Sequence, residues 1–449
     1  MNKAYIVAVD MGYGHQRAAF PLEYIATLPA GWTNEHSPII SANNYYGIPE
    51  VDKRKWDQTQ KTYEWFSRMR GLPIIGKLIF GIMDYFQKIE DFYPKRDLSK
   101  PTIQVRQIFK MIKGGLGRHL IDTLNEKPLP LLSTFFIPAL FAEEHGYKGE
   151  IYCLCTDTDI SRAWVPLYPE KSRIIYLAPD MRVKDRLIEY GIKKENIVLT
   201  GFPLPLSCLG DENDFSIAKK ALNRRIRKLD PKGYYVSKNS AIISEYLGAL
   251  ENIDNKTVSL TFAIGGAGAQ SEIGLSILSS LKKCIDYNLV HLNLIVGISK
   301  ILLEKYKIFI ESDAKLLDLY NEGKIKIIYR ENKFEYFREF EKVLLETDVL
   351  WTKPSELSFY AGLGLPIIIA PPLGSQEDFN REWLYRIEAG IDQGNPVFTA
   401  GWFIDWLNEG KFAELAMDGF VNAPKHGTYN IGVLLEEGKI RELDSKYSI

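Results

Sequence analysis

The chain alternates between short apolar runs rich in β-branched residues and longer amphipathic stretches, and this alternation constrains the fold most strongly. Apolar runs of about 4–8 residues predict buried strands, and the stretches between them have the length and periodicity of helices. Strands that alternate with helices are typical of parallel α/β layers. The predicted strands are 5–9, 151–156, 173–178 and 196–201 in the first half of the chain, and 259–265, 292–298, 325–329, 349–352 and 366–371 in the second. Predicted helices include 180–190, 270–287 and 355–362.

A stretch with prolines and glycine, residues 201–214, separates the two sets of strands, and a basic stretch follows it. We therefore predict two doubly wound α/β domains. The N-terminal domain is expected to span 1–205, with a helical insertion at about 55–117, and the C-terminal domain 206–400. A helical segment, 401–449, is expected to pack back on the N-terminal domain. In such a pair a ligand is expected in the cleft, at the carboxyl ends of the strands.

Composition excludes several classes of protein. The 449 residues have a formal net charge of −1, which argues against a nucleic-acid-binding protein. Cys153 and Cys155 alternate in an apolar run, and the four cysteines have no metal-ligand spacing, so these two are predicted to be core residues. No run offers the ~20 apolar residues that a membrane-spanning helix needs. Because a predicted strand begins at residue 5, no signal peptide is expected, and the protein is predicted to be cytoplasmic.

The region 55–117 departs from the alternation, because aromatic and aliphatic residues mix there with lysine and arginine. A basic, aromatic amphipathic helix suits a membrane interface, which predicts peripheral association with a membrane surface. An ordinary helical insertion packed on the domain explains the same pattern equally well, and acidic residues in the segment weaken the membrane hypothesis.

The first of three glycine-containing turns is "DMGYGHQRAA", residues 10–19, which follows the first predicted strand. Gly12 and Gly14 lie in the turn, and His15 lies at a predicted helix start. Histidine titrates near neutral pH, so His15 is a candidate reacting group. Read alone, the same pattern also describes a polar residue that binds an anion or caps its helix.

The second turn is "FAIGGAGAQSEIG", residues 262–274, which places Gly265, Gly266 and Gly268 between a predicted strand and a predicted helix. Glycines let the backbone approach a phosphate, and a helix N-terminus offers N–H groups and the positive end of the helix dipole. Such turns are also common as tight connections without a ligand, so this motif alone leaves phosphate binding open.

The third element begins at Ser355, a predicted N-cap that places Glu356 in a first helical turn. Glu356 either stabilises the helix dipole or accepts hydrogen bonds from both hydroxyls of a ribose. After the next predicted strand, Gln376, Glu377 and Asn380 enter another helix, with amide and carboxylate groups suited to sugar hydroxyls. Each of them is also explained as a solvated polar residue.

Together these elements resemble the GT-B glycosyltransferases, which have two Rossmann-like domains facing a cleft. The resemblance is to the monogalactosyl- and diglucosyl-diacylglycerol synthase family and to the related undecaprenyl muramyl-pentapeptide N-acetylglucosaminyltransferase. It touches points over residues 5–390, in the family's order. The motifs that carry it are "DMGYGHQRAA", "IYCLCTDTDISRAWV", "YLAP…RLIEYGIKKENIVLTGFPL" and "SQEDFN", the last being close to a donor-sugar motif.

The resemblance implies transfer of a hexose or N-acetylhexosamine from a UDP-sugar to an acceptor hydroxyl, plausibly that of a lipid. It implies an acceptor side built around Gly12, Gly14, His15 and Asp157, with His15 as general base. The residues implied to bind the donor are Gly265, Gly266, Gly268 and Ala269 for the diphosphate, Glu356 for the ribose, and Gln376, Glu377 and Asn380 for the sugar.

No cofactor and no metal are implied, because this fold stabilises the leaving diphosphate with helix dipoles and N–H groups. The "DTD" at 157–159 matches a metal-binding motif of another glycosyltransferase fold, and we interpret Asp157 instead as a residue of the acceptor site. Two alternatives are a nucleotide-sugar 2-epimerase and a non-catalytic nucleotide-sugar-binding protein of the same fold.

The sequence also departs from the family. Tyr13 stands where the family has a glycine, and "LLSTFFIPALFAEE" lacks a histidine often found there. The region 205–257 and the tail from about 399 are unusual as well. These departures concern the acceptor more than the donor.

Overall fold

The computed structural model describes residues 3–58, 89–263, 268, 270–372 and 374–438. These residues fall into two compact units. The N-terminal unit draws on Met1–Pro203, Gly374–Phe379 and His426–Ser448, and the C-terminal unit on Leu204–Leu373 and Asn380–Lys425.

The N-terminal unit is built on a six-stranded parallel sheet with the order β2-β1-β3-β4-β5-β6. Its strands are β1 (Tyr5–Ala8), β2 (Ile40–Ser41), β3 (Leu131–Ser133), β4 (Ile151–Leu154), β5 (Ile175–Ala178) and β6 (Ile197–Leu199). Ile6 and Val7 point to opposite faces of β1 and are both fully buried. Burial on both faces is expected of a parallel sheet that helices cover on both sides.

Helices of the N-terminal unit accompany these strands. The α-helices are Gly14–Ala19, Ile103–Lys113, Arg118–Leu124, Phe136–Glu144, Met181–Glu189 and Gly427–Glu437, and the 3₁₀ helices are Phe20–Ile25, Arg162–Trp164, Pro169–Lys171 and Lys194–Asn196. Residues 50–58 are helical as well. The helix predicted at 180–190 is confirmed as Met181–Glu189, because the side chain of Asp180 accepts a hydrogen bond from the N–H of Val183 and caps its first turn.

The basic, aromatic segment 55–117 lies only partly within the described residues, since 59–88 fall outside them. In its described part, the helix Ile103–Lys113 begins at Thr102, whose side chain accepts from Val105 N–H. Val105, Ile108, Phe109 and Ile112 of this helix are buried in the hydrophobic core of the unit. This part of the segment is therefore a packed helical insertion, and its apolar face is not available to a membrane.

The C-terminal unit is built on a second six-stranded parallel sheet with the order β12-β11-β10-β7-β8-β9. Its strands are β7 (Val258–Ala263), β8 (Val290–Gly297), β9 (Ile325–Tyr329), β10 (Val349–Thr352), β11 (Ile367–Ile369) and β12 (Gly390–Asp392). The chain forms β7, β8 and β9 in one direction across the sheet and then returns to β10 on the other side of β7. This is the order of a doubly wound dinucleotide-binding fold.

Eleven α-helices and two 3₁₀ helices accompany this second sheet among the described residues. The α-helices are Leu206–Leu209, Ser216–Leu229, Tyr234–Lys238, Ser240–Leu247, Ser271–Asp286, Lys300–Glu311, Ala314–Asn321, Lys333–Glu346, Ser375–Arg386, Thr399–Asn408 and Lys411–Asn422. Two 3₁₀ helices are Glu356–Leu363 and Pro396–Phe398. The predicted fold class, two doubly wound α/β domains, is confirmed.

Three strands were not predicted: β2, β3 and β12. Each is two or three residues long. β3 lies in a stretch with Pro128, Pro130 and Pro138, and prolines in a run argue against a strand. The helix predicted at 355–362 is a 3₁₀ helix, Glu356–Leu363, rather than an α-helix.

The unusual region 205–257 is helical in large part. In the helix Ser216–Leu229, Arg225 is buried and donates through Nε to Thr347 O, at 2.7 Å, and through Nη1 to Leu363 O, at 2.6 Å. Burial lowers the pKa of this guanidinium to about 10. The helix is therefore part of the core of the C-terminal unit rather than a loose connection.

Cys153 and Cys155 are fully buried, as predicted. Burial raises the pKa of both thiols well above the usual range, so both stay protonated and unreactive. No helix among the described residues is both long enough and apolar enough to cross a bilayer.

Candidate functional site

The candidate site of the N-terminal unit lies at the carboxyl edge of its sheet, between β1 and β3. The chain leaves β1 for β2 on one side and later returns to β3 on the other side, which makes this the switch point where doubly wound folds bind ligands. The turn after β1 contains Gly12, exposed with φ +94°, and leads into the helix Gly14–Ala19. His15 is therefore in the first turn of that helix, directly at the switch point.

His15 is held by the loops that follow β3 and β4. Its Nδ1 lies 2.8 Å from the main-chain oxygen of Thr134 and 3.3 Å from the hydroxyl oxygen of Thr156. The hydroxyl of Thr134 in turn donates to the main-chain oxygen of His15 at 2.8 Å. Because a carbonyl oxygen can only accept, Nδ1 carries the proton, and Nε2 carries the lone pair of the neutral ring.

An aromatic cluster borders the His15 ring. The ring centroid of Phe135 lies 4.5 Å from that of His15, and the centroid of Trp164 lies 6.4 Å from it. Phe136 packs against both aromatic rings, at 4.4 Å from Phe135 and 5.2 Å from Trp164. Phe136 and Trp164 are buried and Phe135 is half-buried, so the surroundings of the imidazole are largely apolar on this side.

The "DTD" motif follows β4, and its two carboxylates have different surroundings. Asp157 is half-buried in the loop, one residue beyond Thr156. Asp159 is fully buried and accepts from Arg186 Nε at 2.8 Å, from Arg186 Nη2 at 2.9 Å and from Arg182 Nε at 2.7 Å. Asp159 is thus one member of an ion-pair network with two arginines.

The ion pairs of Asp159 affect whether the "DTD" motif can bind a divalent cation. A carboxylate whose oxygens both accept from guanidinium groups is neutralised by them and is a poor ligand for a divalent cation. Among the described residues, no group of three or more His, Cys, Asp or Glu side chains is arranged to hold a metal ion.

The candidate site of the C-terminal unit lies at the carboxyl edge of the second sheet, around the switch point between β7 and β10. Gly265, Gly266 and Ala269 lie outside the described residues. Gly268 has φ +70° and would place a Cβ 3.2 Å from Leu302, so both conformation and space favour glycine there. Gln270 precedes the helix Ser271–Asp286 and donates from Nε2 to Pro371 O at 2.7 Å, which ties this turn to the loop after β11.

Glu356 follows β10 and is the first residue of the 3₁₀ helix, where it is 8% exposed. Gln376 and Glu377 are half-buried in the first turn of the helix that follows β11. Asn380, in the next turn, is fully buried and donates from Nδ2 to Pro354 O at 3.2 Å. This bond joins the helix to the loop that carries Glu356.

The predicted site residues thus fall into two groups, one at the carboxyl edge of each sheet. Gly12, Gly14, His15 and Asp157 belong to the first sheet, following β1 and β4. Those of the second sheet follow the neighbouring strands β7, β10 and β11, and the described ones are Gly268, Glu356, Gln376, Glu377 and Asn380.

Sequence reasoning missed Thr134 and Thr156. Each stands just beyond the carboxyl end of a strand, in "LLST" and "IYCLCT", and that position is the signal that could have found them. Thr156 ends a strand that was predicted, whereas Thr134 follows β3, which was not.

Comparisons with known proteins leave the activity open. A family model described as "Domain of unknown function (DUF6938)" matches residues 250–378. No curated protein matches the sequence. Function has to be inferred from the residues of this chain.

Three solved structures are similar over nearly the full length. They are S. aureus MnaA with UDP (11% identity, 97% of this chain and 96% of that chain, TM-score 0.47), Acinetobacter baumannii MurG (12%, 97% and 99%, 0.45) and UDP-GlcNAc 2-epimerase from Neisseria meningitidis bound to UDP-GlcNAc (12%, 97% and 97%, 0.43).

Proposed function

We propose that the protein is a glycosyltransferase that moves a hexose or N-acetylhexosamine from a UDP-sugar to an acceptor hydroxyl, without a metal ion and with His15 as general base. The observation that carries the proposal is the hydrogen bond from His15 Nδ1–H to Thr134 O at the switch point of the first sheet. It leaves Nε2 as the nitrogen that can take a proton. An imidazole is suited to this step at neutral pH, and general base catalysis of this kind contributes ~10²–10⁴-fold in rate.

The donor is proposed to bind at the carboxyl edge of the second sheet. The segment 265–269, of which only Gly268 is described, would face the diphosphate, which the N–H groups and dipole of the helix Ser271–Asp286 would stabilise in place of a cation. Glu356 would accept from the ribose hydroxyls, and the polar side chains Gln376, Glu377 and Asn380 would bind the sugar. The grouping of these residues after three neighbouring strands supports this assignment.

The acceptor is proposed to be a lipid hydroxyl. The aromatic rings of Phe135 and Trp164 beside His15 favour an acceptor with an apolar part next to its reacting hydroxyl. Asp157 would assist on the acceptor side. The predicted cytoplasmic location and association with a membrane surface stay predictions, since the most aromatic part of the segment 55–117 lies outside the described residues.

A donor screen tests the proposal. UDP-glucose, UDP-galactose and UDP-GlcNAc are each added to the full chain, and the melting temperature and the release of UDP are measured. A donor that binds only the native state raises the melting temperature. We expect one of the three to do so and to release UDP slowly even without acceptor, because water can replace the acceptor hydroxyl.

Glu356→Gln should weaken binding of that donor by about 10–100-fold, since hydrogen bonds to a charged group are worth ~1.5–3 kcal/mol. Glu331→Gln is the matched control, because Glu331 is exposed after β9 at the same sheet edge, away from the switch point. No thermal shift with any UDP-sugar would contradict the proposal. Conversion of UDP-GlcNAc to its 2-epimer without release of UDP would replace it with the epimerase alternative.

A further inference from the structure

We propose that Thr156 is a positioning residue for His15: its hydroxyl, together with the main-chain oxygen of Thr134, holds Nδ1–H so that the ring acts through Nε2. The inference rests on the proposed function, because the step it serves is the proton transfer assigned to His15. Thr156 lies 141 residues from His15 in sequence and reaches it only because β4 is adjacent to β3 and β3 to β1.

Thr134 supplies the fixed part of this arrangement. Its N–H donates to Val7 O at 3.0 Å, which continues the pairing of β3 with β1 by one residue, and its hydroxyl donates to His15 O at 2.8 Å. Thr134 therefore positions both the main chain of His15 and the carbonyl oxygen that accepts the hydrogen bond from Nδ1–H. Thr134 is fully buried, so water does not compete for these groups.

The distances determine whether the hydroxyl of Thr156 donates or accepts the hydrogen bond with His15. At 2.8 Å, the carbonyl oxygen of Thr134 would meet the Nδ1 lone pair unfavourably if Nδ1 were unprotonated, so the proton lies on Nδ1. The hydroxyl oxygen of Thr156, at 3.3 Å from the same nitrogen, then accepts a second, longer branch of that hydrogen bond. Thr156 is only 3% exposed, which leaves little room for a water to take its place.

This second acceptor matters most during the proton transfer. As the acceptor oxygen bonds to the anomeric carbon of the donor and UDP leaves with the bonding pair, the O–H bond of the acceptor breaks and its proton moves to Nε2. The ring then carries a positive charge beside Phe135 and Trp164, which offer it no strong hydrogen-bond acceptor. Two oxygens at Nδ1–H stabilise the cation, because a hydrogen bond strengthens when its donor becomes charged.

The variant Thr156→Val removes the hydroxyl and keeps the shape, and Thr156→Ser restores the hydroxyl. We expect the kcat for UDP release from the active UDP-sugar to fall about tenfold in the valine variant, equivalent to ~1.4 kcal/mol of barrier. The KM for the donor should change little, and serine should recover most of the rate. Thr261→Val is the matched control, since Thr261 is a buried threonine bonded to Thr347 in the C-terminal unit.

Nitrogen NMR of protein with ring-¹⁵N histidine gives a readout that does not depend on turnover. The spectrum is recorded well above the ordinary histidine pKa of about 6.5, and the His15 signals are assigned with His15→Gln. Wild type should show a protonated Nδ1 and an unprotonated Nε2. In Thr156→Val these shifts should move toward the values of a free histidine, while the signals of His119 and His145, in the same unit, stay in place.

Two results would overturn the inference: a wild-type His15 protonated on Nε2, or a folded Thr156→Val protein with the His15 shifts and the UDP release of wild type. The wild-type measurement decides the first point even if the valine variant does not fold. If no UDP-sugar turns over but the His15 shifts respond to Thr156→Val, the proposed function is wrong. The positioning of the His15 ring by Thr156 is then still supported.

Discussion

At the scale of single residues, His15 and the second carboxylate of the "DTD" motif differ in what holds their side chains. His15 is fixed by partners from two other loops, and the bond from Nδ1–H to Thr134 O determines which nitrogen can act as base. Asp159, two residues beyond Asp157, instead forms buried ion pairs with Arg182 and Arg186. The same short motif thus contains one carboxylate at a candidate site and one that stabilises the fold.

Asp159→Asn should therefore act on stability. Removing one partner of a buried ion pair leaves the other charge unpaired, and the buried Nη1 of Arg186 already has no hydrogen-bond partner among the described residues. We expect the free energy of unfolding to fall by about 3–5 kcal/mol, measured by urea denaturation. Asp185→Asn, at an exposed position on the helix that carries Arg186, should change the free energy of unfolding by no more than ~0.5 kcal/mol.

Adding Mn²⁺ to the wild type should leave its melting temperature unchanged. A metal-dependent rise that Asp159→Asn abolishes would contradict the assignment of this carboxylate to the arginines.

The candidate site could be predicted only in part from the sequence. The turn with His15 was found because glycines and a histidine after a β-branched run form a local pattern. Thr134 and Thr156 are ordinary threonines 119 and 141 residues away, and their roles follow from strand order, which the sequence does not state. Gly265, Gly266 and Ala269, outside the described residues, stay predictions.

At the scale of elements, all nine predicted strands exist, because long apolar runs in a doubly wound sheet are buried on both faces and leave a strong signal. The missed strand β2 has only two residues, β12 is half-buried and not rich in apolar residues, and prolines flank β3. The helix predicted at 270–287 forms as Ser271–Asp286, and the apolar side of its amphipathic pattern is buried. Length and burial therefore decided which elements the sequence revealed.

The helix Lys411–Asn422 carries an element-level prediction. Asp418 lies one turn after Glu414, and burial together with Glu414 and Glu388 raises its pKa to about 6. The folded protein then binds this proton more tightly than the unfolded chain does, so its contribution to stability is present at low pH. It is lost as the pH rises from about 4 through 6.

Asp418→Asn should accordingly raise the free energy of unfolding at pH 8 by about 1–2 kcal/mol, a value reduced for partial exposure, and by nothing below pH 4. Denaturant titrations across this pH range measure the difference. Asp405→Asn, at an exposed position of the preceding helix, is the control and should give a pH-independent change. An equal effect of Asp418→Asn at pH 4 and pH 8 would rule out this cause.

At the scale of the whole molecule, the chain forms two doubly wound units, and its C-terminal part is shared between them. The helices Thr399–Asn408 and Lys411–Asn422 belong to the C-terminal unit, whereas Gly427–Glu437 belongs to the N-terminal one. Asn430 donates from Nδ2 to Thr200 O at 2.8 Å, after β6, and Tyr24 OH donates to Thr428 O. The proposal assigns donor binding to residues that follow strands of the second sheet, and the proton transfer to His15, which follows β1 of the first sheet.

Turnover of the active UDP-sugar by His15→Ala, measured beside its binding, tests this division most directly. The account predicts that calorimetry finds donor affinity within about twofold of wild type, while UDP release falls by ~10²–10⁴-fold. His36→Ala, an exposed histidine of the same unit, should leave both quantities unchanged. UDP release by His15→Ala at the wild-type rate, with donor binding intact, would contradict the central claim that His15 is the base.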